Sequence, residues 1–144
     1  MTLEFPILTT PIDTAAWQAR LAHPQAGGLV VFAGVVRDHH QGRAVTCLDY
    51  EGHVPLASRA GSRILAEASG RWPLLRALGC HRIGHLEVGE TAVWIGVASA
   101  HRADAFAACA WIMDQVKATV PIWKRETFAD GTVVWAEGTP LSPP

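Results

Sequence analysis

Residues 99–126 constrain the fold more than any other stretch of the chain, because a helical pattern there meets a proline and then becomes strand-like. Apolar side chains recur at spacings of three and four residues, at Phe106, Cys109, Met113 and Val116. This spacing predicts an amphipathic helix that starts at His101, is capped by Ser99 and turns its apolar side to the core. Pro121 cannot continue that helix, since its ring clashes with the preceding turn. The chain must therefore leave the helix at Val120 and continue extended.

The two lysines of the chain, Lys117 and Lys124, stand on either side of this break. Lys117 follows Met113 by four residues, so on a helix it emerges at the edge of the apolar stripe. The extended run after Pro121 brings Lys124 back towards it. Two amines beside an apolar wall favour a compact anion such as phosphate or carboxylate. Burial beside a second cation lowers the pKa of a lysine, which suits it to proton transfer. The alternative is a helix whose end charges are only solvated.

The length of the predicted helix suggests a second copy of the chain. His101 and Lys117 lie sixteen residues apart, which is about 24 Å along a helix axis, so one small ligand cannot touch both. Either there are two sites, or a symmetric partner brings its own His101 and Arg102 to the Lys117 end. No Ser-His or Cys-His couple lies in the segment, so the attacking nucleophile is expected from elsewhere.

Composition bounds the class of protein. A chain of 144 residues with 49% hydrophobic content fits one domain, and a net charge of −1 gives no global attraction to nucleic acid or membranes. The first thirty residues lack the pattern of a signal peptide, and the longest apolar run is too short for a bilayer, so a cytoplasmic protein is expected. Cys47, Cys80 and Cys109 are widely spaced without a C-x-x-C pair, so neither a disulfide framework nor a metal site is predicted.

Local patterns predict strands and helices on both sides of the central segment. The run Gly28–Val36 is apolar and β-branched, which predicts a buried strand that ends at Arg37, a residue aimed into a site or simply solvated. This strand is expected to pair antiparallel with Ala44–Gly52 through the intervening loop. Asp130–Gly131 predicts a hairpin. The remaining predicted elements are helices at Thr14–Ala22, capped by Asp13, and Pro55–Ser69, and strands at residues 3–8, Leu75–Ile83, Thr91–Ala98, Ile122–Lys124 and Thr132–Ala136.

Four short motifs follow one another along the chain. They are Gly34-Val35-Val36-Arg37-Asp38-His39, His81-Arg82-Ile83-Gly84, Ser99-Ala100-His101-Arg102 and Lys117-x-x-x-Pro121-x-Trp123-Lys124-Arg125-Glu126. In order and spacing they resemble the large, catalytic subunit of molybdopterin synthase, from about Gly28 to Glu137, and the last motif is the specific one. The resemblance implies an α+β fold of the hammerhead type, with a mixed or antiparallel sheet and packed helices. It also implies a single domain over residues 1–144 with a loose tail from about Thr139.

The resemblance further implies a sulfurtransferase that needs no cofactor and no metal. Its substrate is cyclic pyranopterin monophosphate, and two sulfur transfers make the dithiolene of molybdopterin during molybdenum cofactor biosynthesis. The sulfur arrives as the C-terminal Gly-Gly thiocarboxylate of a small ubiquitin-like sulfur-carrier subunit. Two large subunits form a central homodimer and each binds one carrier, which gives a heterotetramer.

Carried over by position, the resemblance implies catalytic roles for Lys117 and Lys124. Lys117 lies beside the carrier's tail as general acid/base or electrostatic stabiliser, while Lys124 and Arg37 hold the phosphate and the pterin. The other implied substrate-binding residues are the backbone at Val35 and Val36, Arg125 and Glu126 at the pocket wall, and His101 and Arg102 from the neighbouring copy. Two alternatives stay open. One is a non-enzymatic dimeric module that binds a phosphorylated metabolite, and the other is a sulfurtransferase that uses its own thiol as a persulfide.

Overall fold

The computed structural model describes residues 3–135, which form an α+β arrangement of three helices and nine strands. The helices are α1 (Thr14–Ala19), α2 (Val54–Arg71) and α3 (Arg102–Thr119). The strands are β1 (Ile7–Leu8), β2 (Gly28–Val35), β3 (His39–His40), β4 (Arg43–Gly52), β5 (Leu74–Arg82), β6 (Gly84–Glu87), β7 (Thr91–Ser99), β8 (Ile122–Phe128) and β9 (Val133–Trp135). The expected loose tail and the last residue of the predicted Thr132–Ala136 strand lie outside the described residues.

The first sheet is mixed and has the strand order β1-β5-β7-β2. Strand β1 runs parallel to β5, and the other pairs are antiparallel. Helices α2 and α3 pack together on one face and form the main core with residues such as Leu65, Val97 and Ile112. A smaller cluster around Leu21 and Trp94 covers the opposite face beside α1. Of the helices within residues 3–135, none combines the length and apolar character needed to cross a membrane.

The second sheet carries β8, the strand that follows the proline break. Its order is β3-β4-β8-β9, with β6 paired to the other edge of β4. The predicted pairing of Gly28–Val36 with Ala44–Gly52 is wrong, because β2 pairs with β7 while β4 pairs with β8. The reason is local: Gln41 and Gly42 both have positive φ, at 52° and 77°, and form a tight turn that folds β4 back on β3 instead.

The predicted burial of the Gly28–Val36 strand is also wrong for the single chain. Strand β2 lies at the edge of its sheet, where Leu29 is 50% and Phe32 41% exposed. On the neighbouring helix Phe106, assigned above to the core face, is 61% exposed. Phe32 and Phe106 lie beside each other on the helix-covered side of the first sheet, whereas Leu29 projects from the opposite face of β2. The edge strand and the helix together therefore leave apolar side chains uncovered along one edge of the molecule.

The helix ends follow the sequence signals in part. Asp13 caps α1 by accepting from the backbone N–H of Ala16, as predicted. Helix α3 has His101 as its N-cap without a side-chain hydrogen bond, so the predicted Ser99 cap is wrong. The Ser99 hydroxyl instead donates to the carbonyl of His101 at 2.6 Å, because β7 continues through Ser99.

Two glycines of α2 are expected to respond oppositely to alanine. A Cβ at Gly61 would lie 2.2 Å from the ring of Phe5, whereas a Cβ at Gly70 would meet nothing within 4 Å. Gly61→Ala should lower the free energy of unfolding by about 1–3 kcal/mol through overpacking. Gly70→Ala should raise it by about 0.5–1 kcal/mol, because alanine is the better helix former. Urea denaturation of both variants checks this, and a gain in stability for Gly61→Ala would contradict the packing described.

Candidate functional site

A cavity of about 480 Å³ opens where the end of β2, the last turns of α3 and strand β8 meet. Its polar lining consists of Arg37, His40, Tyr50, His81, Lys117 and Lys124. Its apolar wall includes Phe32, Val35, Val93, Met113 and Ile122. The cavity thus joins cations to aromatic and aliphatic surface, and it is large enough for a small organic anion.

The proline break places the two lysines on this one cavity. Val120 ends α3, and its N–H still donates to the carbonyl of Val116 at 3.1 Å. The N–H of Ile122 then donates to the carbonyl of Val120 at 2.8 Å, so β8 starts immediately after Pro121. Lys117 in the last turn of α3 and Lys124 on β8 both line the cavity, as the sequence predicted.

A third cation, Arg37, reaches the cavity from the end of β2. Burial lowers the pKa of Lys124 below its ordinary value; the nearby Glu126 carboxylate raises it, and the positive charges of Lys117 and Arg37 lower it further. Within residues 3–135 no ion pair or hydrogen bond neutralises any of these three cations. With three cations and only the Glu126 carboxylate close to Lys124, the cavity offers a net positive charge to an incoming anion.

Two neutral rings lie beside the cations, and the sequence argument did not assign either of them to the site. His81 is buried, and this burial lowers the pKa of its ring to about 4. Its Nδ1 lies 2.7 Å from the carbonyl oxygen of Arg82, which only accepts, so Nδ1 carries the proton and Nε2 is a free acceptor. Tyr50 meets the His81 ring edge-on at 5.0 Å, and burial raises the pKa of Tyr50 to about 12.

A signal for these rings was present in the sequence. Tyr50 shares its face of β4 with Leu48, and His81 follows the apolar run from Ala77 to Cys80, so the pattern placed both on inward positions. The sequence did not predict the pairing of β4 with β8. This pairing sets Tyr50 directly opposite Lys124. Without that register, neither ring could be connected to the lysines.

The Lys124-Arg125-Glu126 run divides between the two faces of β8. Glu126 is 3% exposed and lies on the Lys124 side, where its carboxylate oxygens are 2.6 and 2.8 Å from Nδ1 of His40. It braces the cavity wall through His40, which lines the cavity. Arg125 lies on the opposite face, with its guanidinium 5.7 Å from the ring centre of Trp135. Within residues 3–135, Arg125 is therefore not part of the cavity lining.

Val35, Val36, His101 and Arg102 complete the set of expected site residues. Val35 lines the cavity, whereas Val36 is buried in the small cluster below the second sheet. His101 and Arg102 are exposed at the start of α3, at the end of the helix away from Lys117. In one copy of the chain they do not reach the cavity.

Comparison with known proteins gives consistent matches over most of the chain. Residues 7–119 match the family model described as MoaE protein. A molybdopterin synthase catalytic subunit from Pyrococcus abyssi is 47% identical over 120 residues, covering 83% of this chain and 80% of that protein. The crystal structure of molybdopterin synthase from Staphylococcus aureus has a TM-score of 0.87 at 34% identity, covering 94% of this chain and 98% of that one.

A more distant structure shares the fold. It is a complex of subunits 1 and 2 of molybdopterin-converting factor from Helicobacter pylori, with a TM-score of 0.75 and 18% identity. The match covers 92% of this chain and 90% of that chain.

The buried His81 ring predicts a specific loss of stability in acid. Between pH 7 and pH 5 the histidine of the unfolded chain takes up a proton, since its pKa is about 6.5, while the folded ring stays neutral. The free energy of unfolding of the native protein should therefore fall by about 2 kcal/mol more over this interval than that of His81→Gln. Urea denaturation at both pH values and one protein concentration measures the difference.

His39→Gln, which replaces an exposed histidine in the same way, is the control for the substitution itself. An unchanged slope in His81→Gln would show that the ring does not stay neutral in the folded state.

Proposed function

Because the chain belongs to the MoaE protein family, we propose that it is the catalytic subunit of molybdopterin synthase, an enzyme of molybdenum cofactor biosynthesis. The observation that carries this proposal beyond family membership is the cavity that joins Arg37, Lys117 and Lys124. Three unpaired cations on one half-apolar surface suit a phosphorylated heterocycle, since the charges take the phosphate and the wall takes the ring.

The reaction we propose is sulfur transfer to cyclic pyranopterin monophosphate. Each sulfur of a carrier thiocarboxylate bonds to a pterin carbon, and water then cleaves the bond between that sulfur and the carrier's carbonyl, which releases the carrier as a carboxylate. After two such transfers, with opening of the cyclic phosphate, the dithiolene of molybdopterin is formed. Lys124 and Arg37 hold the phosphate and the pterin. Lys117, the more exposed of the two lysines, acts on the reacting carbons as a proton donor and acceptor or as a fixed positive charge.

The sulfur comes from a partner, a small ubiquitin-like carrier with a C-terminal Gly-Gly thiocarboxylate. A tail of two glycines has no side chains to clash with the walls, so it can enter a narrow cavity. The subunit complex of the Helicobacter pylori molybdopterin-converting factor supports such a partner by analogy of fold. No nucleic acid or membrane enters this account, and the proposed location is the cytoplasm.

The cysteines of the chain are poor sulfur donors, which counts against a persulfide mechanism. Burial raises the pKa of Cys80 to about 12 and that of Cys109 to about 11, so neither forms a thiolate readily. Cys47 lies on β4 at a position whose side chain points away from Tyr50, and it does not line the cavity. An outside sulfur donor fits these positions better.

The active unit we propose is a homodimer within a heterotetramer. The edge strand β2 and the nearby Phe106 expose several large apolar side chains, on both faces of the strand, namely Leu29, Val31, Phe32, Val35 and Phe106. Such a patch beside an unpaired strand edge favours association with a second copy. The partner could then bring its His101 and Arg102 to the Lys117 end of the other chain. The simpler alternative, a dimer that only binds a phosphorylated metabolite, predicts no product from substrate and carrier.

Substitution of the two lysines should affect different quantities, turnover for Lys117 and substrate affinity for Lys124. Lys117→Ala should abolish dithiolene formation from cyclic pterin and thiocarboxylated carrier, because the charge nearest the reacting atoms is lost. Lys124→Ala should weaken pterin binding at least tenfold, about 1.4 kcal/mol, and more than Lys117→Ala does. Single-turnover assays and calorimetric titration measure the two quantities. Near-normal turnover of Lys117→Ala would remove it from the mechanism, and equal losses of affinity would contradict separate roles.

Mixed dimers test whether the site is shared between two chains. Lys117→Ala and Arg102→Ala protomers, each inactive alone, should recover about a quarter of the native activity when refolded together. Half of the dimers are then mixed, and each mixed dimer has one site with both native residues. Refolding Lys117→Ala with Lys124→Ala is the control. Both lysines belong to the cavity of one chain, so no mixed dimer contains a cavity with both native lysines. Absence of recovery in the first mixture would exclude the composite site.

A further inference from the structure

We propose that the outer face of the second sheet binds a divalent transition-metal cation of the Zn²⁺ type through Cys47, Asp49 and His85, with Glu87 supporting His85. This site is separate from the cavity and does not rest on the function proposed above. The donor atoms of Cys47, Asp49 and His85 all lie within 4.8 Å of one another.

The register of two strands creates this cluster. Strands β4 and β6 are antiparallel, with Asp49 directly opposite His85 and Cys47 directly opposite Glu87. Directly opposed residues share a face of the sheet, and so do residues two apart on one strand. The four side chains therefore form a compact square on the face that points away from Tyr50.

The distances suit tetrahedral coordination after small side-chain movements. Ligand atoms bonded to one Zn²⁺ at about 2.0–2.3 Å stand about 3.3–3.8 Å apart. Oδ1 of Asp49 lies 3.2 Å from Nδ1 of His85, and all pairs among the three donors are within 4.8 Å. Rotation of side chains on an exposed sheet face can close the remaining gap, while the partly exposed position leaves the fourth site to water.

The partner of the second ring nitrogen strengthens the assignment. Nε2 of His85 lies 2.9 Å from Oε1 of Glu87. The Glu87 carboxylate accepts the proton of Nε2, and the Asp49 carboxylate accepts the proton of Nδ1 at 3.2 Å. A bound cation would replace that Nδ1 proton, while Glu87 keeps the ring in the orientation that metal-bound histidines commonly require. Glu87 is thus a positioning residue for the ligand His85, not a ligand itself.

A partly buried ion pair fixes the backbone that carries His85 and Glu87. The guanidinium of Arg82 donates to the carbonyl of His85 at 3.2 Å and to the carboxylate of Glu90. The other oxygen of Glu90 accepts from the backbone N–H of Glu87 at 3.1 Å. Both residues of the short strand β6 are therefore held in place before any cation arrives.

The donor set selects the class of cation. One thiolate, one imidazole and one carboxylate suit Zn²⁺ or Co²⁺, whereas Mg²⁺ and Ca²⁺ prefer oxygen alone. No C-x-x-C motif marks this site in the sequence, because the residues of each strand are two apart and the two strands are far apart along the chain. Bound metal would tie β6 to β4 and so stabilise the edge of the second sheet.

Cobalt spectroscopy tests the site directly. The full-length protein, stripped with a chelator, is titrated with Co²⁺ and, by calorimetry, with Zn²⁺. We expect one ion per chain and a thiolate-to-cobalt charge-transfer band. Cys47→Ser should lose the band, and both Cys47→Ser and His85→Ala should bind Zn²⁺ at least tenfold more weakly. Glu87→Gln should keep the band but weaken binding by about 10–100-fold.

His39→Ala is the matched control, because His39 is also exposed and also pairs with a carboxylate, Asp38, at 2.8 Å, but has no role in the cluster. It should bind like the native protein. Circular dichroism confirms that each variant is folded. Absence of saturable binding in the native protein, or a cobalt band that persists in Cys47→Ser, would overturn the proposal.

Discussion

The break at Val120–Pro121 is the constraint on which the site depends. A helix cannot continue through Pro121, and the tight turn there sends the chain straight into β8. Strand β8 then pairs with β4, which sets Lys124 opposite Tyr50 and beside the helix end that carries Lys117. The end of the helix at Val120–Pro121 thus brings the last turn of α3, strand β8 and the apolar wall of the cavity together.

The positive charges that line the cavity explain why it should bind an anion. Three cations share it, and Lys124 is partly desolvated, so burial and the positive charges of Lys117 and Arg37 lower the pKa of Lys124. The nearest buried carboxylate, Glu126, is engaged by His40 instead of forming an ion pair with a lysine. His81 and Tyr50 stay neutral at pH 7 because burial shifts the pKa of each away from that range. A bound phosphate would relieve the repulsion among the three cations.

The local features of this site were predictable from the sequence, and the non-local ones were not. Periodicity and the proline predicted α3, its end and the approach of Lys124 to Lys117, because these depend on neighbours in the chain. The partners of β2 and β4 depend on a tight turn at Gln41–Gly42 and on strands far along the chain. For the same reason the sequence did not connect His81 with the lysines, nor His85 with Cys47.

Burial was misjudged where it depends on more than one chain. Phe106 and the strand Gly28–Val35 have the apolar character of core residues, yet one copy leaves them largely uncovered. Hydrophobic pattern identifies a surface that avoids water, but it does not say whether the same chain or a second copy covers it.

The most direct test of the central claim, that the proline break gathers the lysines into one anion-binding cavity, is the pKa of Lys124 measured by NMR of its side-chain nitrogen. This account predicts a pKa below the ordinary lysine value in the free protein, because burial disfavours the charged amine. It predicts that the pKa rises when the phosphorylated pterin binds, because the anion favours that charge. An ordinary pKa that substrate leaves unchanged would contradict it.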